Sequence, residues 1–332
     1  MKKLFTTLFA SVLAITSLFS LAACNQPDDS SGDDPTTVTI QAYNAQKKLA
    51  DIEVPYDPER IAILDMASLD IIDGLGLGDR VVGCTSVSIE YLKDEYNPTD
   101  TNDIKNVGTI KEANMVELMA CDPDIIFIGG RLSSVYNDLA EIAPVVYLGV
   151  DATKGVVEST TTNTQQIAKI FGKETEVNAL LAQYDFSTRI NAIKTQFEGK
   201  RAIVGMYSGS NFNLVDNTGR CSIIGKECGF ANIKDGQTSG ATHGDTASWE
   251  AIKTLNPEYI FVMDRNNAIG SEATVSTKEA IENEIVKTMD VYKDGKICYL
   301  GHPNVWYTSE GGVQALDMML EDLETFLFPA QA

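Results

Sequence analysis

The amino-acid sequence predicts an α/β fold of two lobes joined by a single long connecting helix, with a ligand cleft between the lobes. Three features of the sequence lead to this prediction. Short apolar segments alternate with helical segments from residue 38 onward, a long helical region occupies the middle, and one local pattern occurs twice. Apolar strands separated by helices favour a sheet that is parallel at least in part. A chain of 332 residues is long enough for two separate cores.

The expected elements fall into two groups around the helical middle. Before it we expect strands at 60–64, 81–84, 124–129 and 145–148, and helices at 67–75, 113–120 and 133–142. After it we expect strands at 202–206, 259–262 and 297–300, and helices at 222–227, 248–255 and 312–326. The middle itself reads as helix over 156–171 and 174–197, with a break near Gly172. The predicted lobes are therefore 38–155 and 199–330, with 156–198 as the connecting region.

The repeated pattern places one arginine at an equivalent position in each lobe. Residues 122–131 and 256–265 both read polar-Pro-acid-x-Ile-Phe-aliphatic-x-x-Arg, which indicates a helix end, a strand and an arginine just past the strand. Ligands of open α/β sheets bind beyond the carboxyl ends of the strands. We therefore expect Arg131 and Arg265 to point into one cleft; the alternative is that each arginine only caps a surface turn.

The N-terminus has the features of an export signal. Lys2 and Lys3 precede an almost uncharged stretch, which ends in Leu21-Ala22-Ala23-Cys24. This predicts a signal peptide over 1–23. The last four residues resemble a lipobox, whose cysteine is acylated, so Cys24 is the expected lipidation site. A membrane-spanning anchor, or an ordinary signal with a chance cysteine, is the alternative. Residues 24–37 are polar and acidic and are expected to form a disordered tether.

Charge and cysteine content exclude several functions. The net charge is −21 at pH 7, which argues against nucleic-acid binding. Five cysteines remain besides Cys24, an odd number, and no Cys-x-x-Cys occurs, so no structural zinc site is expected. Small buried thiols are the favoured interpretation, although Cys221 and Cys228 could form a pair in an oxidising compartment.

Taken together, the lipobox, the two lobes, the connecting helix and the repeated Pro-acid-x-Ile-Phe…Arg units resemble the class III binding proteins of ABC importers. The resemblance covers about 38–327. Four motifs narrow it to the branch that binds catecholate-type ferric siderophores: Thr218-Gly219-Arg220, Thr242-His243-Gly244, Met263-Asp264-Arg265 and Trp306-Tyr307. The resemblance implies an extracytoplasmic protein, anchored to the cell membrane, that captures a ferric siderophore and delivers it to a permease. Cobalamin or haem binding on the same fold is the alternative function.

The resemblance also implies the residues of the site, which are Arg131, Arg220, Arg265, His243 and Tyr307. A ferric tris-catecholate is a trianion, and arginine stays charged and offers several N–H donors to the catecholate oxygens. When a siderophore supplies only four donor atoms, two coordination positions of the ferric ion stay open. His243 and Tyr307 are the expected ligands for them, since imidazole and phenolate both bind Fe(III). The ferric siderophore is thus the ligand, and no permanent cofactor is expected.

The implied partners are the permease and ATPase subunits of the importer, with the protein itself a monomer. The family docks on the permease through an acidic residue of each lobe. Glu250 stands at that position in the C-terminal lobe. The equivalent N-terminal position is Val116, so the neighbouring Glu117 is the expected docking residue there. His302, beside the expected loop that carries Tyr307, is assigned to a turn.

An enzymatic function is not expected. Ser208 does not lie in a Gly-x-Ser-x-Gly sequence, and no Gly-x-x-x-x-Gly-Lys phosphate loop occurs. With only two histidines, the chain offers few arrangements for a general base. Bare zinc or manganese is disfavoured as cargo for the same reason.

Overall fold

The computed structural model of the protein describes residues 36–99, 103–237, 244–271 and 275–329. The predicted signal peptide, Cys24, nearly all of the predicted tether and His243 lie outside these residues. Thr37, the last residue assigned to the tether, is the first residue of a strand. Within the described part of the chain, no helix is both long and apolar enough to cross a membrane.

The N-terminal lobe (N-lobe) is built on a parallel sheet of five strands in the order β5-β4-β3-β8-β9. All four residues of β3 and of β8 are buried, which is typical of a sheet covered on both faces. The strands are β1 (Thr37–Tyr43), β2 (Leu49–Pro55), β3 (Ile61–Leu64), β4 (Val81–Cys84), β5 (Lys105–Asn106), β6 (Gly108–Thr109), β7 (Glu112–Ala113), β8 (Ile125–Ile128) and β9 (Val145–Tyr147). The helices are α1 (Met66–Gly74), α2 (Glu90–Tyr96), α3 (Met115–Ala120) and α4 (Tyr136–Ala140), with 3-10 helices at Gly78–Arg80 and Gly130–Val135.

The C-terminal lobe (C-lobe) contains a mixed sheet in the order β13-β11-β10-β14-β15, with β12 also paired to β10. Its strands are β10 (Arg201–Ser208), β11 (Asn211–Leu214), β12 (Ala231–Asn232), β13 (Asp245–Thr246), β14 (Tyr259–Asp264) and β15 (Ile297–Tyr299). The helices after the connecting region are α8 (Ser222–Lys226), α9 (Trp249–Leu255), α10 (Arg265–Ala268), α11 (Thr277–Ile281), α12 (Asp290–Lys293), α13 (Pro303–Thr308) and α14 (Val313–Leu327), with a 3-10 helix at Val286–Thr288. The two α/β lobes agree with the predicted fold class.

The connecting region consists of three successive helices, so the single long helix of the predicted fold is corrected, whereas the expected break near Gly172 is confirmed. They are α5 (Val156–Ile170), α6 (Glu174–Tyr184) and α7 (Phe186–Phe197). The first break falls at Gly172, whose φ of 62° is left-handed and suits glycine. The second falls at Asp185, which has φ 45° and ψ 46°. The second break was not predicted, because aspartate inside a helical pattern gives no clear stop signal.

The repeated sequence pattern forms the same structure in both lobes. Asp122 and Asn256 follow the helices α3 and α9 with φ of 44° and 46°. The strands β8 and β14 come next, and each has a neighbour on both sides. Both units therefore place a helix end, a turn and a central strand in the same order.

The acidic residue of each pattern also makes equivalent bonds to the neighbouring strand. The Asp124 carboxylate accepts the N–H of Arg60 (2.9 Å), and the N–H of Asp124 donates to the Arg60 carbonyl. In the C-lobe, the Glu258 carboxylate accepts the N–H of Arg201 (3.0 Å), and the N–H of Glu258 donates to the Arg201 carbonyl. The repeat is thus structural as well as sequential, and it fixes where each central strand starts.

Two carboxyl side chains, one buried and one half-buried, connect distant parts of the chain by capping helix N-termini. Asp70, in α1, accepts the backbone N–H groups of Gln314 and Ala315 at the start of α14, both at 2.9 Å. Glu227, just after α8, accepts the N–H of Val156 at the start of α5. Neither α5 nor α14 has a cap from its own N-cap side chain. A carboxyl oxygen at a helix N-terminus accepts hydrogen bonds from otherwise unpaired donors. The N-lobe thereby holds the C-terminal helix, and the C-lobe holds the first connecting helix.

All five described cysteines are buried and unpaired: Cys84, Cys121, Cys221, Cys228 and Cys298. The favoured interpretation, small buried thiols, therefore agrees with the structure, and Cys221 and Cys228 do not form a disulfide in it. Burial raises the pKa of Cys84 to about 12, so this thiol stays protonated and unreactive at neutral pH.

Candidate functional site

A cavity of about 180 Å³ lies beyond the carboxyl ends of β3, β8 and β9. It is also lined by residues of the segment 307–311, which runs from the end of α13 into the turn before α14. Its polar and charged lining residues are Asp65, Ser68, Arg131, Asn163, Arg220, Tyr307, Thr308 and Glu310. This is the place where ligands of α/β sheets bind, and residues of both lobes meet there.

Three arginines surround the ring of Tyr307. The Cζ atom of Arg220 is 4.6 Å from the ring centroid, that of Arg265 is 5.5 Å away and that of Arg131 is 5.7 Å away. Tyr307 is only 4% exposed. One N-lobe arginine and two C-lobe arginines thus converge on one aromatic side chain, as cation–π contacts allow.

Hydrogen bonds hold two of these guanidinium groups in place. Arg265 donates from Nε to the Tyr307 hydroxyl (3.1 Å) and from Nη1 to Ser208 Oγ (3.3 Å). Arg220 donates from Nε to the Tyr307 carbonyl (3.1 Å). Nη2 of Arg131 is buried and has no hydrogen-bond partner within the described parts of the chain. An unpaired buried donor of a charged group is costly, and a bound anion would satisfy it.

The clustered charges change the ionisation of the site. Burial alone would raise the pKa of Tyr307, but the hydrogen bond from Arg265 and the charges of all three arginines bring it below its usual value. Burial lowers the pKa of Arg131, and the nearby charge of Arg220 lowers it further. The three arginines therefore make the phenolate form of Tyr307 easier to reach than that of an isolated tyrosine.

The residue after Arg220 has a left-handed backbone conformation. Cys221, directly after Arg220, has φ 63°, which is uncommon for a side chain other than glycine. Its N–H donates to the Glu310 carboxylate (3.2 Å). Backbone strain of this kind persists where the surroundings hold it, and here the bond to Glu310 does so.

Of the five predicted ligand-binding residues, the structure brings four together. Arg131, Arg220 and Tyr307 line the cavity, whereas Arg265 contacts Tyr307 from outside it. His243 lies outside the described residues. Tyr307 belongs to the helix α13 and not to the loop expected there. A helix of only six residues that begins at Pro303 gives little periodic signal, which explains the error.

The predicted docking residues lie away from the cavity. Glu250 is exposed in the first turn of α9, two residues after the N-cap Ser248. Counting from the N-cap Asn114, the equivalent residue of α3 is Val116, which is 67% exposed. Glu117, the next residue, is half-buried. In the structure as in the sequence, the N-lobe position equivalent to Glu250 is therefore occupied by Val116, and Glu117 lies one residue further on.

His302 occupies a structural position. It is the N-cap residue of α13, its Nδ1 lies 2.8 Å from Asp322 Oδ1, and its backbone N–H donates to the same carboxylate. Trp306 Nε1 also donates to Asp322 (2.8 Å). The assignment of His302 to a turn agrees with this geometry.

Sequence reasoning missed two acidic residues of the cavity, Asp65 and Glu310. Asp65 directly follows β3 and caps α1 by accepting the N–H of Ser68 (2.9 Å). The rule that pointed to Arg131, a polar residue just past a strand, also applies to Asp65 and would have found it. Glu310 lies in the turn between α13 and α14, and no sequence signal marked it.

Two α/β lobes with an arginine-lined cleft at their junction define a solute-binding protein of the class III type. Residues 61–303 match the family model described as periplasmic binding protein, so the chain belongs to that family. Members of this family bind substrates and work outside the cytoplasm, and two relatives from Bacillus subtilis (strain 168), 23% and 22% identical, are named as lipoproteins.

The similar proteins include binders of iron carriers. The petrobactin-binding protein YclQ of Bacillus subtilis (strain 168) is 34% identical over 327 residues, which is 98% of each chain. Its crystal structure has a TM-score of 0.78 and covers 88% of this chain and 99% of YclQ. The periplasmic catecholate-siderophore binding protein VctP of Vibrio cholerae is 27% identical with a TM-score of 0.76, over 87% of this chain and 99% of VctP.

Proposed function

We propose that this protein is the extracytoplasmic substrate-binding lipoprotein of an ABC importer and captures a ferric siderophore of catecholate type. The observation that carries the proposal is the convergence of Arg131, Arg220 and Arg265 on Tyr307 at the junction of the lobes. In a chain of net charge −21, such a cluster concentrates positive charge beside the cavity and attracts an anionic ligand. The petrobactin-binding relative supports the same ligand class.

In this proposal the arginines neutralise the ferric catecholate and donate to its oxygens. Guanidinium groups form charge-assisted hydrogen bonds with such oxygens, and Arg131 Nη2 is a donor without a partner in the described structure. Tyr307 and His243 complete the iron shell when the siderophore leaves two sites open. The lowered pKa of Tyr307 favours the phenolate that iron binding requires. No catalytic step is part of the proposal.

Cobalamin or haem binding is the alternative on the same fold. Both ligands require a broad apolar surface, whereas this cavity is lined by two arginines, two acids and several hydroxyl or amide groups. The charged lining therefore favours the siderophore.

Tryptophan fluorescence tests the ligand class. The chain has two tryptophans. Trp306 is fully buried next to Tyr307, whereas Trp249 stacks on Phe212 with ring centroids 5.0 Å apart. In the mature soluble chain with Trp249→Phe, Trp306 alone reports on the site. We expect saturable quenching by ferric catecholates and none by a ferric hydroxamate or cobalamin. Quenching by cobalamin or haem alone, or by no ligand, would contradict the proposal.

The same titration tests the iron ligands. His243→Ala and Tyr307→Phe should weaken binding of a tetradentate ferric catecholate, because each removes an atom that fills an open iron site. Binding of a hexadentate ferric catecholate, which leaves no coordination position open, should change less, and in Tyr307→Phe only through the lost hydrogen bond from Arg265. If a variant lost affinity equally for the tetradentate and the hexadentate complex, its side chain would contact the siderophore without coordinating the iron.

The remaining parts of the proposal concern attachment and delivery. We assign residues 1–23 to the signal peptide, Cys24 to the lipid anchor and Glu250 with Glu117 to permease docking, with the protein acting as a monomer. In cells, Cys24→Ala should move the protein out of the membrane fraction. Glu250→Ala should reduce iron uptake without changing siderophore affinity in vitro. Normal uptake in the Glu250 variant would exclude it as an essential docking residue.

A further inference from the structure

The cavity beside Tyr307 is not simply basic. Among the described residues, it is lined by two guanidinium groups, from Arg131 and Arg220, and by two carboxyl groups, from Asp65 and Glu310. The third arginine, Arg265, contacts Tyr307 from outside the cavity. The lining charges therefore balance when both acids are ionised.

Each carboxyl group is close enough to one arginine to influence it. Asp65 interacts electrostatically with Arg131, and its neighbours also include Ser68 and Tyr147. Glu310 interacts with Arg220 and lies near Glu227. Burial raises the pKa of both acids, that of Glu310 to about 7 while Arg220 opposes the shift. The Glu310 carboxyl group therefore ionises as the pH rises through about 7.

The structural roles of these two residues do not require a negative charge. Asp65 caps α1, and asparagine caps a helix as well as aspartate does. Glu310 accepts the N–H of Cys221, which the amide oxygen of glutamine can also accept. A carboxyl group that can ionise in a cleft for anions reduces affinity for them, so the presence of Asp and Glu instead of Asn and Gln requires an explanation.

We propose that Asp65 and Glu310 set the charge selectivity of the cleft, so that it prefers ferric siderophores of low net negative charge over trianionic ferric tris-catecholates. The inference rests on the proposed function and narrows its ligand class. A ferric bis-catecholate with a neutral linker has a single negative charge, and a protonated amine in the linker would lower it further. Three arginines opposed by two carboxylates suit such a ligand better than a trianion.

The electrostatic argument gives a quantitative expectation. The interaction of a fixed charge with a ligand is proportional to the ligand charge. Removing the two carboxylates should therefore improve the binding of every anionic complex, and the free-energy gain should be about three times larger for a trianion than for a monoanion. Expressed as fold-changes in affinity, the gain for the trianion should approach the cube of the gain for the monoanion.

The test compares two ferric probes on matched variants. Dissociation constants are measured at pH 8.5 for a ferric bis-catecholamide with an uncharged linker and for a ferric tris-catecholamide. The proteins are the wild type, Asp65→Asn, Glu310→Gln and the double variant, with Asp138→Asn as the control, since Asp138 is exposed on α4. The preference for the monoanion is the dissociation constant of the tris-catecholamide complex divided by that of the bis-catecholamide complex. We expect this ratio to fall by about 10-fold or more in the double variant, and to stay unchanged in Asp138→Asn.

The outcomes separate this inference from the proposed function. If the wild type binds neither probe, the siderophore proposal itself fails. If both probes bind but the double variant leaves their affinity ratio unchanged, the function stands and the charge-selectivity inference is wrong. An equal change for both probes would also overturn the inference, because a purely steric or structural effect does not scale with ligand charge.

Discussion

Arg220→Gln should weaken the binding of a ferric catecholate by about 100-fold, because it removes a desolvated, charge-assisted contact from the centre of the site. Arg220 has the guanidinium nearest the Tyr307 ring, at 4.6 Å, and it lines the cavity. Folding stability should change little, since the substitution also relieves repulsion between Arg220 and Arg131. Titration for affinity and denaturant unfolding for stability measure the two effects separately.

Arg80→Gln is the matched control for this experiment. Arg80 pairs with Asp57 and lies over the Phe171 ring at 5.6 Å, away from the cavity. The control should lower stability slightly, by about 1 kcal/mol or less for a partly exposed pair, and leave siderophore affinity unchanged. If both variants reduced affinity to the same extent, the effect would come from overall charge and not from the arginine cluster.

Asp70→Ala should lower the free energy of unfolding by about 3–5 kcal/mol, because it removes the acceptor of three buried donors. These donors are the N–H groups of Gln314 and Ala315 and the hydroxyl of Tyr91. Asp73→Asn is the matched control on the same helix. Asp73 accepts only side-chain donors, from Tyr96 (2.7 Å) and Gln314 (2.7 Å), so its replacement should cost about 1 kcal/mol. A smaller loss for Asp70→Ala than for Asp73→Asn would contradict the capping role.

The ionisation of Asp70 adds a pH dependence with a definite sign. Burial raises its pKa from 3.8 to about 7. The folded state therefore favours the protonated form, and the stability contributed by this group is present below pH 4 and lost as the pH rises through 7. The loss amounts to at most about 4 kcal/mol. Unfolding curves at pH 5 and pH 8 should show a weaker pH dependence in Asp70→Asn than in the wild type.

The sequence predicted the central strands of both sheets, because they are short apolar runs with polar or glycine-rich ends. The strands β5, β11, β12 and β13 of the same sheets were not predicted. The strands at 81–84 and 125–128 are completely buried or nearly so. A strand that is buried on both faces appears in the sequence as a continuous apolar run. The β1–β2 hairpin was not predicted. Its apolar residues alternate with exposed ones in β1, and it lies where the sequence changes from tether to lobe.

The site was only partly predictable, for physical reasons. Arg131 and Arg265 follow from the repeated pattern and the rule on strand ends. Arg220 and Tyr307 depend on the meeting of segments that are far apart in the chain, so no local pattern reveals their contact; the family resemblance supplied them. The acids Asp65 and Glu310 were missed because an anion site is expected to contain basic residues alone.

The two caps from Asp70 and Glu227 have a consequence for the kinetics of ligand capture. Each would have to break before its helix could shift relative to the lobe that holds it. One apolar core also extends through residues of both lobes, from Ile63 to Phe261 and Leu316. The walls of the cleft are thus ordered when the chain folds, so binding requires little further loss of conformational entropy. Encounter between an anionic complex and the arginine cluster then sets the rate of capture.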